Sequence, residues 1–210
     1  MAQAMLDPGG YGGTYKFVGG RLCLDLVNTV SWPDDPRRHD WLDVYANLIS
    51  WADQAGIVDS DETATLQSVG ISDPDRAARV VAGVRRQREV LELIFGAVAR
   101  EEPPPGAAID ELNTLLAEAT VRRRLSGTPL HWSWAKVEEP EQLMASVVYD
   151  AADLLADGDH SRLGYCSACN WLFYDTTRNR SRRWCDMADC GSRDKARSYY
   201  RRTTGSCATR

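Results

Sequence analysis

The chain has 210 residues, enough for one ordinary domain with a small module or for two modest domains. Its 43% hydrophobic and 26% charged residues are typical of a globular chain and exclude wholesale disorder. No stretch approaches the roughly 18 apolar residues of a membrane-spanning helix, and the N-terminus lacks the features of a secretory signal. We therefore expect a reducing, cytoplasmic setting and no membrane partner.

The net charge of −5 is divided unevenly along the chain. Residues 161–210 carry ten Arg and one Lys against four Asp, a net charge of +7, which leaves −12 for residues 1–160. The basic part would attract a polyanion, whereas the acidic part would resist non-specific adhesion to one.

The first half of the chain is predicted to be mainly helical. The segment RLCLDLVNTV fits either a strand or a helix, and we favour a helix. The proline-rich SWPDDPRRHD predicts a loop. Helices are then predicted from Trp41 to a stop at Gly56, over a short stretch after Asp59, and from an N-cap at Asp73 to the sequence EEPPPG.

A second group of elements follows. A helix is predicted from about Ala107 to Arg122, and the alternation of LHWSWAKV predicts a strand. Another helix is predicted to begin at Pro140. We expect a boundary near residues 158–164, between a helical body (1–160) with one short β element and a C-terminal module (161–210).

Arg88 interrupts the apolar stripe of the long helix after Asp73. We favour a side chain that snorkels to solvent and pairs with Glu92, four residues on. A buried cation that awaits an anionic ligand is the alternative. The three histidines lack metal-ligand spacing and no catalytic motif is present, so we expect no enzyme. A site assembled from distant residues stays open as an alternative.

Four of the six cysteines lie close together, as C-x2-C, fifteen residues and C-x4-C. Four thiolates satisfy tetrahedral zinc and leave no open position, so the pattern predicts one structural zinc ion. Disulfides would need an oxidising compartment. The predicted ligands are Cys166, Cys169, Cys185 and Cys190. We expect a hairpin between the two pairs and a helix at the second pair, with Cys23 in the core and Cys207 an incidental thiol.

Basic residues surround these cysteines and predict binding to double-stranded DNA, against the alternative of a solvated face or one docked on the acidic body. Ser192 is expected to cap a helix that ends at Gly205 and presents Arg193, Arg197 and Arg201 on one face. The candidate DNA contacts are Arg178, Arg180, Arg182, Arg183, Arg193, Lys195, Arg197, Arg201 and Arg202. Tyr199 and Tyr200 are candidates to pack on the hairpin or to touch a sugar–phosphate strand.

The motif W-C-x4-C-G-x-R-x-K, with its C-x2-C and Arg-rich loop, resembles the CGNR zinc finger, and GGRLCLDLVNTV resembles the opening of the ABATE domain. This resemblance implies a bacterial stress-induced transcription regulator whose finger binds DNA and whose body senses a small ligand. Ser192 replaces the asparagine of the motif. Both residues cap helices, so the fold should survive, but any contact specific to the amide is lost.

The resemblance also makes Asp25 and Asn28 candidates to line a ligand pocket, together with Arg88. The pocket wall would contain Trp32, Trp132 and Trp134. Local capping, or a hydrogen bond to the next loop, is an equally open interpretation of Asp25 and Asn28.

Taken together, these features predict a zinc-containing, DNA-binding transcription regulator. One finger buries only roughly 600–1,000 Å², so a tight complex with DNA needs two copies, and we expect a homodimer formed through the body. A protein–protein adaptor that uses the finger, or an enzyme in the helical body, are the alternatives.

Overall fold

The computed structural model describes residues 14–31 and 39–205, with side chains up to residue 200. The predicted SWPDDPRRHD loop and Trp32 fall largely or wholly outside this part. The described α-helices are α1 (Leu22–Val27), α2 (Tyr45–Gln54), α3 (Ser60–Ser72), α4 (Pro74–Ala99), α5 (Gly106–Thr120), α6 (Ala145–Asp157) and α7 (Ser192–Gly205). Short 3-10 turns lie at Pro140–Gln142 and His160–Arg162, and a π turn lies at Met187–Gly191.

In the described part of the chain, six short strands form three separate antiparallel pairs. These are β1 (Val30–Ser31) with β2 (His39–Asp40), β3 (Arg123–Ser126) with β4 (His131–Trp134), and β5 (Leu163–Tyr165) with β6 (Leu172–Tyr174). The mainly helical fold class predicted from the sequence is therefore confirmed. Among the residues described, no helix is long and apolar enough to cross a membrane.

Local signals explain where the helices begin and end. Asp59 forms a capping box with Glu62 and opens α3, which runs for 13 residues instead of the short stretch expected. Asp73 accepts a hydrogen bond from the Arg76 amide and Pro74 occupies the first turn, as predicted. Gly56 has a φ of +70°, a conformation that glycine adopts without strain, just after α2.

The core surrounds α4, which packs against α1, α2, α3 and α5. Its buried face includes Val84, Leu91, Ile94 and Phe95. Asp150 of α6 accepts from the Cys23 amide at 2.9 Å, so it satisfies a free donor at the start of α1. Within the RLCLDLVNTV segment, Leu22–Val27 thus form a largely buried helix that contacts α4 and α6, and Val30 at the end of the segment lies in β1.

The second half of the body differs from the prediction in two places. Strand β4 lies within the predicted LHWSWAKV strand, but its partner β3 follows directly on α5 and was not predicted. Three successive arginines, Arg122 to Arg124, give that strand no apolar alternation. Pro140 begins a 3-10 turn, and the helix proper starts at Ala145.

The C-terminal module packs directly on the body. Leu163 and Leu172 of the β5–β6 hairpin belong to the main hydrophobic core. Asn28, just after α1, donates from Nδ2 to the Leu172 carbonyl at 2.8 Å and accepts from the Leu172 amide at 2.9 Å. The module and the body therefore share buried contacts across the predicted boundary.

Replacing Asn28 with alanine is expected to destabilise the fold by about 2–4 kcal/mol, because both backbone groups of Leu172 would be left buried without partners. Urea unfolding of the zinc-loaded protein measures this change. Asn113→Ala, at an exposed position of α5, is the matched control and should change stability by less than about 0.5 kcal/mol. Equal effects of the two substitutions would contradict the role given to Asn28.

Candidate metal centre and nucleic-acid interface

Two short turns bring the four cysteines together. Cys166 and Cys169 lie in the turn between β5 and β6, where the Cys166 amide donates to the Trp171 carbonyl at 2.8 Å and Asn170 adopts a φ of +62°. Cys185 precedes the π turn before α7 and Cys190 lies within it, and Asp186 caps this turn through the Ala188 amide. The sulfur atoms all lie within 4.8 Å of one another.

The spacing of these sulfurs fits a tetrahedral metal site. The Cys169 and Cys185 Sγ atoms are 3.5 Å apart, and those of Cys185 and Cys190 are 3.6 Å apart. Zinc–sulfur bonds of ~2.3 Å place tetrahedral ligands roughly 3.8 Å apart, whereas a disulfide bond is only ~2.05 Å long. All four are free thiols, so the cluster holds one zinc ion with no position left for a substrate.

The thiols of the metal-free cluster perturb one another. Hydrogen bonds from Cys169 and Cys185 lower the pKa of Cys166, while burial raises the pKa of Cys190. Because the thiolate is the form that binds zinc, loading of the site releases protons. The Arg193 guanidinium lies 4.0 Å from the Cys190 sulfur, where a positive charge stabilises a thiolate.

The chain between the cysteine pairs does not form the predicted hairpin. The hairpin is β5–β6, and it surrounds the first pair, whereas residues 175–184 return without strand pairing in the described part. Arg182 holds this return segment in place. Its guanidinium donates to the carbonyls of Val18, Trp184 and Cys185 and stacks over the Phe173 ring at 4.6 Å.

Arg182 is therefore a structural residue of the finger and is not placed to grip a phosphate as predicted. Arg180 forms an ion pair with Asp159 at 2.8 Å and also bonds Ser161, while Arg183 stacks on Trp184 at 5.1 Å. Both remain exposed to solvent, as does Arg178. The Arg-rich segment thus divides into one internal cation and three surface cations.

Helix α7 carries the second group of predicted contacts. Arg193, Lys195 and Arg197 are exposed, whereas the side chains of Arg201 and Arg202 lie outside the described ones. Ser192 is the first residue of α7 and has helical dihedral angles, so it is not the N-cap that we predicted. The π turn continues into α7, and Asp186 caps the combined segment because it lies at the true start of the turns.

Arg193 and Arg197 border a small cleft of about 40 Å³ beside Cys169, Cys185 and Cys190. Lys16, from the segment before α1, also borders this cleft. It forms ion pairs with Asp189 at 2.6 Å and Asp186 at 3.7 Å. Sequence reasoning missed Lys16, because it follows a glycine-rich start with no periodic pattern. Positive charge thus gathers around the metal centre from two distant parts of the chain.

Tyr199 and Tyr200 pack edge to face, with ring centroids 6.1 Å apart, and both remain largely exposed. Met187 in the π turn is also exposed. The surface around α7 therefore offers aromatic and cationic side chains together.

The predicted ligand pocket is replaced by structural hydrogen bonds. Asp25 is buried and accepts from the Gly19 amide at 2.7 Å, and Asn28 binds Leu172 as described above. Neither side chain lines the clefts beside the metal centre, the N-terminal segment, α4 or α5. Trp132 and Trp134 lie exposed on the β3–β4 hairpin. Asp25 and Asn28 thus join chain segments, which agrees with the hydrogen-bonding alternative.

Arg88 is buried and does not snorkel; its ion-pair partner is Asp40, not the predicted Glu92. Its two terminal nitrogens donate to the Asp40 carboxylate at 2.8 and 2.7 Å, and one also donates to the Thr29 hydroxyl. Burial acts to raise the pKa of Asp40, but the hydrogen bonds and charge of Arg88 lower it overall. Asp40 supplies the anion because β2 lies against α4, a proximity that helix periodicity cannot reveal.

Asp25 is expected to make stability depend on pH. Burial raises its pKa to about 6, although backbone hydrogen bonds from Gly19 and Val18 oppose the shift. Because the folded-state pKa lies above the unfolded value, the contribution of Asp25 is present below about pH 4 and is lost as pH rises through about 6. Urea unfolding should show that, as pH rises from about 4 to above 6, the free energy of unfolding of the wild type falls by up to about 3 kcal/mol relative to that of Asp25→Asn.

The control for this measurement is Asp110→Asn, at an exposed position of α5. Relative to the wild type, it should give a stability difference that is flat across the same pH range. If Asp25→Asn gives an equally flat difference, the buried carboxylate does not titrate as argued.

Comparison with known families agrees with the motifs. The ABATE family, described as "Putative stress-induced transcription regulator", matches residues 20–158, and the CGNR zinc finger matches residues 162–203. No curated protein matches the chain. The first match covers well over half of the sequence, and the second contains all four cysteines. The chain therefore belongs to the ABATE family and carries a CGNR zinc finger that holds one zinc ion.

Proposed function

We propose that this protein is a cytoplasmic transcription regulator that binds double-stranded DNA through its zinc finger. The observation that carries the proposal is the set of surface cations around the metal centre, on a chain whose remaining part is strongly acidic. Phosphate contacts supply most of the affinity of such proteins, and the acidic body would face away from the duplex. The family membership supports the regulatory part of the proposal.

The surface cations are suited to an anionic partner. Within the described part of the chain, Arg178, Lys195 and Arg197 form no ion pair with an acidic side chain. Arg193 pairs with Asp189 at 2.6 Å and is half exposed, so its guanidinium still reaches solvent. Arg193 and Arg197 are four residues apart, so both lie on one face of α7. Their like charges repel each other there until an anion lies between them.

The test is selection of bound duplexes from a random pool by the full chain, with and without zinc. We expect enrichment that depends on zinc and binding that weakens as salt rises. Absence of salt-sensitive binding to any duplex at low ionic strength would overturn the proposal. It would favour a protein–protein adaptor, for which exposed Met187, Tyr199 and Tyr200 supply an apolar contact surface.

The proposal includes a homodimer. A single finger buries roughly 600–1,000 Å² on DNA, which is small for a tight regulator, and two copies would read two half-sites. Because the finger would contact the DNA, the helical body would form the contact between the two copies.

A further inference from the structure

We propose that the β3–β4 hairpin is the surface through which two copies of this chain associate. The hairpin and Val121, two residues before it, expose five large apolar side chains, here called the hairpin patch. Its members are Val121, Leu125, Leu130, Trp132 and Trp134. Several exposed large apolar side chains so close together in one hairpin mark a candidate interaction surface.

The strand register places most of the hairpin patch on one face. Leu125 pairs with Trp132 and Arg123 pairs with Trp134, so these four side chains point to the same side of the ladder. Arg124, Ser126, His131 and Ser133 alternate to the other side. Trp132 and Leu125 are both 59% exposed, so the outer end of this face is open to solvent, whereas its inner end, at Arg123 and Trp134, packs on α6.

The body holds this face in a fixed position through Arg123. Its guanidinium lies 3.9 Å from the ring centroid of Tyr149 on α6 and 4.5 and 5.6 Å from those of Trp132 and Trp134. Trp134 also packs edge to face on Tyr149. Such cation–π stacking anchors the hairpin, so its apolar face is preformed for association.

The cations of the hairpin are held by the chain itself, which makes nucleic acid the less favoured occupant. Arg122 donates to the carbonyls of Ala135 and Lys136. Arg124 Nη1 donates to the carbonyls of Val121 and Arg123, at 2.6 and 2.8 Å. What the face presents is therefore apolar area, which suits a protein surface better than a phosphate backbone.

A second copy fits the hairpin patch by area and by strand pairing. The five side chains expose on the order of 500 Å², a large part of the roughly 800 Å² that each partner buries in a stable complex. Neither strand has a further partner in the described part of the chain, and two-stranded sheets are marginal in water. Two identical hairpins related by a twofold axis supply each other with strands and apolar cover.

This inference deepens the proposed function, since it gives the dimer of the regulator its interface. The experiment is sedimentation velocity of the full, zinc-loaded chain. The wild type should sediment at twice the chain mass, whereas the double substitution Leu125→Glu and Leu130→Glu should raise the dimer dissociation constant at least about 100-fold. Zinc content and helical signal should be unchanged, because both side chains are exposed.

The matched control is Ile71→Glu with Leu93→Glu, which adds the same charge at exposed apolar positions of α3 and α4. The control should remain dimeric. A second measurement needs no variant: hydrogen exchange of the β3 or β4 amides should slow as wild-type concentration rises. A monomeric wild type at all concentrations, or equal loss of the dimer in both double variants, would overturn the interface.

The outcomes for the interface and for DNA binding are separable. A dimer that dissociates through the hairpin but binds no duplex would retain the interface and overturn the proposed function. A monomeric wild type that binds DNA would overturn the interface and the homodimer but retain the DNA-binding regulator. If hairpin substitutions weaken DNA binding in a protein that never dimerises, the hairpin patch is a nucleic-acid contact and the interface is wrong.

Discussion

Cys185→Ser is expected to abolish stoichiometric zinc binding and to unfold the finger around its ligands. Four thiolates are needed to close the site, and structural zinc sites of this type contribute roughly 10–16 kcal/mol of apparent binding free energy at neutral pH. That free energy is as large as the whole stability of an ordinary domain, ~5–15 kcal/mol, so the small apolar cluster of the finger cannot replace it. Metal analysis should fall from one zinc ion per chain to almost none.

The unfolding is expected to stop before the helical body. Helices α1 to α6 contain no zinc ligand, and their core is built around α4. Far-UV circular dichroism should therefore retain most of the helical signal. Contacts of the finger with the N-terminal segment should be lost, among them the ion pair of Lys16 with Asp189 and the hydrogen bond from Trp171 Nε1 to the Val30 carbonyl.

Cys207→Ser is the matched control, because that cysteine lies outside the C-x2-C and C-x4-C pairs in the sequence and outside the described residues. It should bind one zinc ion and keep the wild-type melting curve. Full zinc content in Cys185→Ser would show that the site tolerates three thiolates, and loss of all helical signal would show that the finger holds the body together.

The sequence allowed prediction of features that depend on neighbouring residues. Helix α4 was placed from the cap at Asp73 and the recurrence of apolar residues, because a helix exposes its own period. The metal ligands were found from their spacing, since each pair of cysteines binds from a single turn. In both cases the chemistry that fixes the structure lies within a few residues of chain.

Features that depend on distant partners were missed or placed wrongly. The hydrogen bonds of Asn28 reach across 144 residues to Leu172, and that of Arg182 reaches across 164 residues to Val18. Arg88 pairs with Asp40, 48 residues away, and not with Glu92 on its own helix. The sequence shows that a residue is polar but not whether its side chain binds a ligand or a backbone carbonyl. Its hydrogen-bond partner is therefore known only from the folded chain.

Arg182 illustrates why this matters for function. It lies next to Arg183 in the same basic run, yet one guanidinium donates to four backbone carbonyls and the other stacks on the half-buried Trp184. Replacing Arg182 would leave carbonyls around Cys185 without donors, so any loss of DNA binding would report a damaged finger. Tests of the interface therefore need cations that the fold itself does not use.

Lys195→Ala and Arg197→Ala meet that requirement and are expected to weaken DNA binding without loss of zinc. Each removes one exposed cation of α7. If each neutralises one phosphate, the slope of log affinity against log salt should become shallower by roughly 0.9 for each substitution. Binding at low salt should fall about tenfold for each contact that is lost. Fluorescence anisotropy with a labelled duplex across a salt series measures both quantities.

Arg79→Ala is the matched control, since it removes one exposed arginine from α4 of the acidic body and changes net charge by the same amount. Its affinity and salt slope should equal those of the wild type, because long-range charge alone is screened beyond about 10 Å at 0.1 M salt. An equal loss in Arg79→Ala would mean that total charge, and not the surface of α7, governs the interaction. Unchanged slopes in both α7 variants would move the duplex away from this helix, to the surface formed by Arg178, Arg180 and Arg183.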